Sequence, residues 1–214
     1  MSAVLLTDSR FCGVELDPRF RKFGLNVKPG SQIKDHKKYV KKQQKRKSPP
    51  TIYVICVGIN DIPDNLKDKT KSERQKLFVK ITSKFRSLIK CIKKVKPSAS
   101  IVVATIPPKD LLRSVTKYPH KSSLNISDIT DSHQLAFEKF VIKVNDFIDN
   151  LNKSETGQHL PLHTALRTHR GRRGSTRFRY HKFTDGIHPL QSLKDVWLNK
   201  IWDCFQILQG VQQG

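Results

Sequence analysis

The chain has 214 residues and a formal net charge of +23, from 41 Lys and Arg against 18 Asp and Glu, and 36% of it is hydrophobic. A chain of this length builds a real core as one domain over 1–214 without a disulfide or metal staple. The charge excludes an indifferent surface and favours polyanionic partners, nucleic acid or an anionic membrane, while saying nothing of fold.

No apolar run approaches the roughly 18 residues of a membrane-spanning helix, and Val4-Leu5-Leu6 is too short for a signal-peptide core. Cys12, Cys56, Cys91 and Cys204 stand far apart with no Cys-x-x-Cys pair. They read as free thiols of a reducing compartment, cytoplasm or nucleus, and not as a metal site. Cys12 reads as a small buried residue.

Along the chain, Ala3 to Asp8 is a short buried-strand pattern, and Phe23 to Val27 is a weaker one. Pro29-Gly30-Ser31 is a turn that opens a strongly basic helix running to about Lys47, which Pro49-Pro50 ends. Ile52 to Val57 and Ile101 to Ile106 are apolar at every position, the pattern of central strands covered on both faces. Between them, Leu77, Ile81, Phe85, Leu88, Ile92 and Val95 recur at three and four and predict a helix over 72–95. Residues 109–130 read as a loop, and Phe137 to Leu151 as a further helical stripe. His159-Leu160-Pro161-Leu162-His163 is a candidate last strand. Residues 164–182 are a basic loop, and Leu190 to Leu208 mark a C-terminal helix.

Strands alternating with helices predict an α/β fold with a parallel sheet covered on both faces. Ligands of such sheets sit at the carboxyl ends of the strands. The residues after those ends are Asp8-Ser9, Gly30, Gly58-Ile59-Asn60-Asp61 and, before the last helix, Asp185-Gly186-Ile187-His188. Singly, each has a plainer use as a turn or helix cap. Together they make a chemistry. A serine hydroxyl is a weak nucleophile that needs a base. His188 can serve Ser9, and Asp185, three residues earlier on one tight turn, can orient the imidazole. The Ser9 and Gly30 N–H groups and the Asn60 amide are donors suited to a developing oxyanion. Asp61 reads as structural, bonding loop backbone. His36, His120, His133, His159, His163, His169 and His181 read as surface residues.

These four blocks, in this order, resemble those of the SGNH hydrolases, the GDSL-like esterases and lipases: Ser9 in Thr7-Asp8-Ser9-Arg10, Gly30 in Pro29-Gly30-Ser31, Asn60 in Gly58-Ile59-Asn60-Asp61, and His188 in Asp185-Gly186-Ile187-His188-Pro189. The resemblance covers about 3–208. It implies a three-layer α/β/α fold with a five-stranded parallel sheet. It also implies hydrolysis of carboxylic esters, acetyl or lipid acyl, through an acyl-serine intermediate without cofactor or metal. Two positions depart from the pattern. Thr7 stands where glycine is usual, which implies a reshaped elbow with the chemistry intact. Arg10 places a cation beside the nucleophile, which bears on substrate choice. The Asp-Ser-Arg form and the basicity also resemble, more loosely, the esterase domains of some retrotransposon-encoded proteins.

The basic segments are candidate polyanion-binding surfaces: Lys41, Lys42, Lys45 and Arg46 on the first helix, and Arg170, Arg172, Arg173 and Arg177 in the Gly-flanked loop. Phe178 and Tyr180 interleave with these arginines, either to stack on bases or to pack under the loop. The expected partners are therefore an ester or lipid substrate and a nucleic acid or anionic membrane. The alternatives to an esterase are a catalytically idle version of the same fold and a nucleic-acid-binding protein of a mobile element that merely has an α/β core.

Overall fold

The structure is a computed structural model and describes residues 3–167 and 178–211. Four strands form one parallel sheet: β1 (Ala3–Thr7), β2 (Gly24–Val27), β3 (Ile52–Cys56) and β4 (Ser100–Val103), in the spatial order β2-β1-β3-β4. Leu5 lies opposite Leu25 on one side and Val54 on the other, and Val54 opposite Val102. Among the described residues there are five α-helices: α1 (His36–Gln43), α2 (Lys71–Val95), α3 (Leu111–Lys117), α4 (Asp131–Glu155) and α5 (Gln191–Val211).

The central strands are apolar throughout because both of their faces are covered. Val4, Leu6, Tyr53, Ile55, Ile101 and Val103 pack into one core with Val40 of α1, Phe85 of α2 and Val144 of α4. The alternate residues Leu5, Ile52, Val54, Cys56 and Val102 pack into a second core with Trp197 and Ile201 of α5. Successive side chains of a strand point to opposite faces, so these two clusters are the two interlayers of a three-layer sandwich. Helix boundaries follow local chemistry. Thr70 and Glu73 close a reciprocal capping box at the start of α2, with Glu73 N donating to Thr70 Oγ1 at 3.2 Å and Thr70 N to Glu73 Oε2 at 2.7 Å.

Three expectations are corrected here. Among the described residues the sheet has four strands, not five. Leu160 O accepts the Thr105 N–H at 3.0 Å, but Pro161 has no N–H to continue a ladder, and the chain turns into a 3-10 segment at Leu162–Leu166. Residues 109–130 are not all loop, since α3 lies within them. The first helix ends at Gln43, and the chain to Lys47 leaves it in turns.

Candidate active site

Parallel strands carry their following segments to one edge of the sheet, and the singled-out blocks meet there. After β1, Asp8 turns the chain: its Oδ1 accepts the Arg10 N–H at 3.0 Å and caps the short turn Ser9–Phe11. Arg10 does not stand beside Ser9 as a free cation. Its guanidinium folds back onto Asp8 in a bidentate pair, 3.0 Å to each oxygen, with both side chains almost fully buried. Thr7 needs no glycine backbone, because every non-glycine φ is negative among the described residues, and its Oγ1 lies 3.4 Å from Cys56 O.

Before α5, Asp185 organises its own turn. Its Oδ1 accepts the Ile187 and His188 N–H groups at 3.1 and 2.8 Å. Gly186 is required twice, by its φ of +85 and because a Cβ would lie 2.6 Å from Asp110 O, where the turn passes the start of α3. The second oxygen of Asp185, Oδ2, accepts from His188 Nδ1 at 2.7 Å and from the Tyr118 hydroxyl at 2.8 Å. His188 Nδ1 therefore carries the proton, and Nε2 is left to accept from Ser9 Oγ at 3.0 Å. Burial works against the Asp185 charge. The His188 N–H and imidazole, the Tyr118 hydroxyl and the Ile187 N–H outweigh it and hold the carboxyl well below the usual carboxylate range. Asp185 is thus an anion at neutral pH.

The donors lie on the two neighbouring loops. Asn60 Nδ2 donates one proton to Ser31 O at 3.0 Å, which fixes the amide and leaves its second N–H. The Ser9 and Gly30 N–H groups make no backbone hydrogen bond among the described residues. Gly30 has a φ of +67 and no protein atom within 4 Å of a would-be Cβ, so backbone conformation is what asks for glycine there. Asp61 is structural: it accepts from Ile33 N at 2.9 Å and from Lys84 Nζ at 2.5 Å, tying the Gly30 and Asn60 loops together. A cavity of about 260 Å³ adjoins Asn60 and Ile187, with Lys109, Tyr118 and Lys121 in its walls. Lys109 is paired with Asp64 at 2.6 Å, while the Lys121 Nζ lies 4.6 Å over the Tyr118 ring.

Tyr118, whose hydroxyl donates to Asp185, is absent from the sequence pattern; it lies in the segment read as a loop. The histidines also differ from expectation. His36, His133 and His163 are buried, while His120, His159 and His181 are exposed. His36 looks like a second base beside Ser31, 2.9 Å away, but Asn26 Nδ2 donates to its Nδ1 at 2.8 Å. Its proton therefore sits on Nε2 and points at Ser31 Oγ, so it cannot take one from that serine. Cys12 is exposed, not buried. Phe178 is buried in the core, and Tyr180 is half-buried, donating to Glu138 Oε1 at 2.5 Å and accepting from Gln134 Nε2 at 2.7 Å. Burial, and then the Glu138 carboxylate, push the Tyr180 hydroxyl far up and keep it protonated. Lys41, Lys42, Lys45 and Arg46 are exposed; Arg170, Arg172, Arg173, Arg177 and His169 lie outside the described residues.

A family model, GDSL-like Lipase/Acylhydrolase, matches residues 6–201. The chain belongs to this family. It is a carboxylic ester hydrolase. Similar solved structures include a carbohydrate esterase family 3 protein from Talaromyces cellulolyticus, at 14% identity and a TM-score of 0.63, covering 100% of this chain and 99% of the other. A GDSL-like lipase from Bacteroides thetaiotaomicron matches at 14% and 0.60, over 99% and 88%. A phospholipase A1 from Streptomyces albidoflavus matches at 14% and 0.55, over 92% and 98%. At these identities the structures bear on the fold, which is the SGNH fold. No curated protein matches the chain. The looser likeness to retrotransposon-encoded esterase domains draws no support from these matches.

Proposed function

We propose that this GDSL-family hydrolase is a serine esterase with Ser9 as nucleophile, His188 as base and Asp185 as orienting carboxylate. The observation that carries the reading is the unbroken relay from Ser9 Oγ through both imidazole nitrogens to Asp185, with links of 3.0 and 2.7 Å. Ser9 Oγ attacks the acyl carbon while its proton passes to His188 Nε2. The carbonyl π pair moves onto oxygen, and the Ser9 N–H, the Gly30 N–H and the second Asn60 N–H are the donors for that oxyanion. Collapse breaks the ester C–O bond, and the Nε2 proton goes to the leaving alcohol. Water then repeats the cycle on the acyl-serine and releases the acid.

The cavity beside Asn60 is small for a ligand pocket, which supports short acyl groups such as acetyl over long chains. A catalytically idle fold would have no use for an imidazole held in this tautomer against a serine.

The test is Ser9→Ala on purified protein, with short acyl esters and a serine-directed fluorophosphonate. Turnover is expected to fall by about 10⁴–10⁶-fold, and labelling to vanish, with the fold intact by circular dichroism. Wild-type turnover in that variant would remove Ser9 from the mechanism.

A further inference from the structure

The densest charge among the described residues lies on α1 and α2. Helices that cross between parallel strands run back against them, so α1 and α2 begin near the catalytic edge and end at the opposite one. Lys37 Nζ donates to Ser87 Oγ at 2.6 Å, and Cys91 Sγ approaches Lys37 O at 4.0 Å, which lays α1 along the C-terminal half of α2. On the outside of this pair, Lys38, Lys41 and Lys45 are exposed from the α1 side, and Lys80, Lys90 and Lys94 from α2. Spacings of three, four and seven residues along α2 place Lys80, Ser83, Ser87, Lys90 and Lys94 on one ridge beside α1.

None of the six cations enters an ion pair among the described residues. From Lys80 to Lys96 the chain carries no acidic residue at all. Exposed lysines usually serve solubility, but that role is met by cations interspersed with acids, not by an uncompensated ridge whose members repel one another.

We propose that the α1–α2 face binds the phosphate backbone of a nucleic acid. From Lys80 to Lys94 the ridge runs about 21 Å at 1.5 Å per residue, the length of roughly six nucleotides at 3.4 Å per phosphate along a strand. An anionic membrane fits this face less well. A helix lying in a bilayer surface buries an apolar face. Here the apolar residue of α1, Val40, is already fully buried, and among exposed large hydrophobic residues only Val79 belongs to either helix. The face offers charge without an insertable side. Along these helices Lys41, Lys45, Lys90 and Lys94 lie toward the sheet edge opposite the one that carries Ser9 and His188.

The test compares two variants of equal net charge. One carries Lys41→Gln, Lys45→Gln, Lys90→Gln and Lys94→Gln together. The other carries Lys22→Gln, Lys67→Gln, Lys117→Gln and Lys153→Gln, all exposed cations elsewhere. Glutamine keeps the helix propensity of lysine. Binding to a labelled single-stranded RNA of about 30 nucleotides is followed by anisotropy between about 50 and about 200 mM salt. The parent should bind with a steep salt dependence. The α1–α2 variant should lose roughly 0.7 of log–log slope per contact, about 2.8 for four, and the control should keep the parent's slope. Circular dichroism reports the fold, so the outcome does not depend on the esterase assignment. The proposal is overturned if the parent binds neither RNA nor duplex DNA, or if both variants lose slope equally. It is also overturned if the parent binds phosphatidylserine vesicles through these four lysines and no nucleic acid.

Discussion

His36 is fully buried and links the two donor loops of the site. Asn26 donates to its Nδ1, its Nε2 donates to Ser31 Oγ, and the Ser31 carbonyl holds the Asn60 amide. Desolvation pulls its pKa from 6.5 down to about 4, and it does the same to His163. Between those values the unfolded chain binds a proton at each site that the folded chain refuses. Stability is therefore complete above about pH 6.5 and falls as pH drops towards 4, by about 1.4 kcal/mol per pH unit for each histidine. Over the whole window His36 alone accounts for about 3 kcal/mol. Urea unfolding at a series of pH values should show this slope. In His36→Gln the slope should shrink by one histidine's share, although the variant starts less stable at pH 7. An unchanged slope in the variant would mean that His36 is not excluded from protonation. The burial of His36 was not legible in the sequence, because nothing in a lysine-rich segment signals that one polar side chain turns inward. Tyr118 was missed for a related reason: its partner Asp185 is 67 residues away and the contact is purely tertiary.

The outer edge of β4 shows how an element can be completed without a strand. Val103 N donates to Asn152 Oδ1 at 2.9 Å and Val103 O accepts from Asn152 Nδ2 at 2.8 Å. Asn145 does the same for Ile106, at 2.7 and 2.9 Å. Two primary amides on α4, seven residues apart on one helix face, stand where a fifth strand would pair, and Leu160 O serves Thr105 between them. Asn152→Ala should leave a buried N–H and C=O without partners, each costing about 1–3 kcal/mol. Its urea midpoint should fall substantially with no change in m-value; a midpoint near wild type would show that water or a shifted strand replaces the amide. The family resemblance implies five strands, and this arrangement stands in for the last of them. The segment 159–163 alternates as an edge strand does, and only the proline and the two distant asparagines say otherwise. The other elements were legible because their signals are local. Doubly covered strands give continuous apolar runs, as at Ile52 to Cys56. The long helices α2, α4 and α5 repeat their apolar residues often enough to fix a period, whereas α3, with seven residues, does not. The candidate site was readable for a topological reason: its blocks follow strand ends or open the last helix, so a parallel sheet brings them together.

At the scale of the whole molecule, a net charge of +23 surrounds a site whose own machinery is close to neutral. Near the triad, Arg10 is consumed by Asp8, Lys109 by Asp64, and Arg113 lies 3.6 Å from Asp110. Lys121, at the cavity wall, has no carboxylate partner among the described residues, and the exposed Lys117 lies near it on α3. The long-range field and these two cations act in the same direction on an approaching anion. The Debye length is about 30 Å at 0.01 M salt and about 8 Å at 0.15 M, so the field reaches well beyond the cavity only at low salt. For an ester carrying a carboxylate or phosphate on its alcohol, kcat/KM should fall by about tenfold between those salt concentrations, through loss of local enrichment and guided encounter. A neutral ester with the same acyl group reports the chemical machinery without the field, and its kcat/KM should stay flat. Lys117→Gln with Lys121→Gln should reduce the salt dependence for the anionic ester while leaving most of it, because the remaining excess charge is spread over the surface. If the double variant abolished the salt dependence, two local contacts would account for it and the overall charge would play no part in substrate capture. If the anionic and neutral esters responded alike to salt, ionic strength would be acting on the fold or on the triad instead.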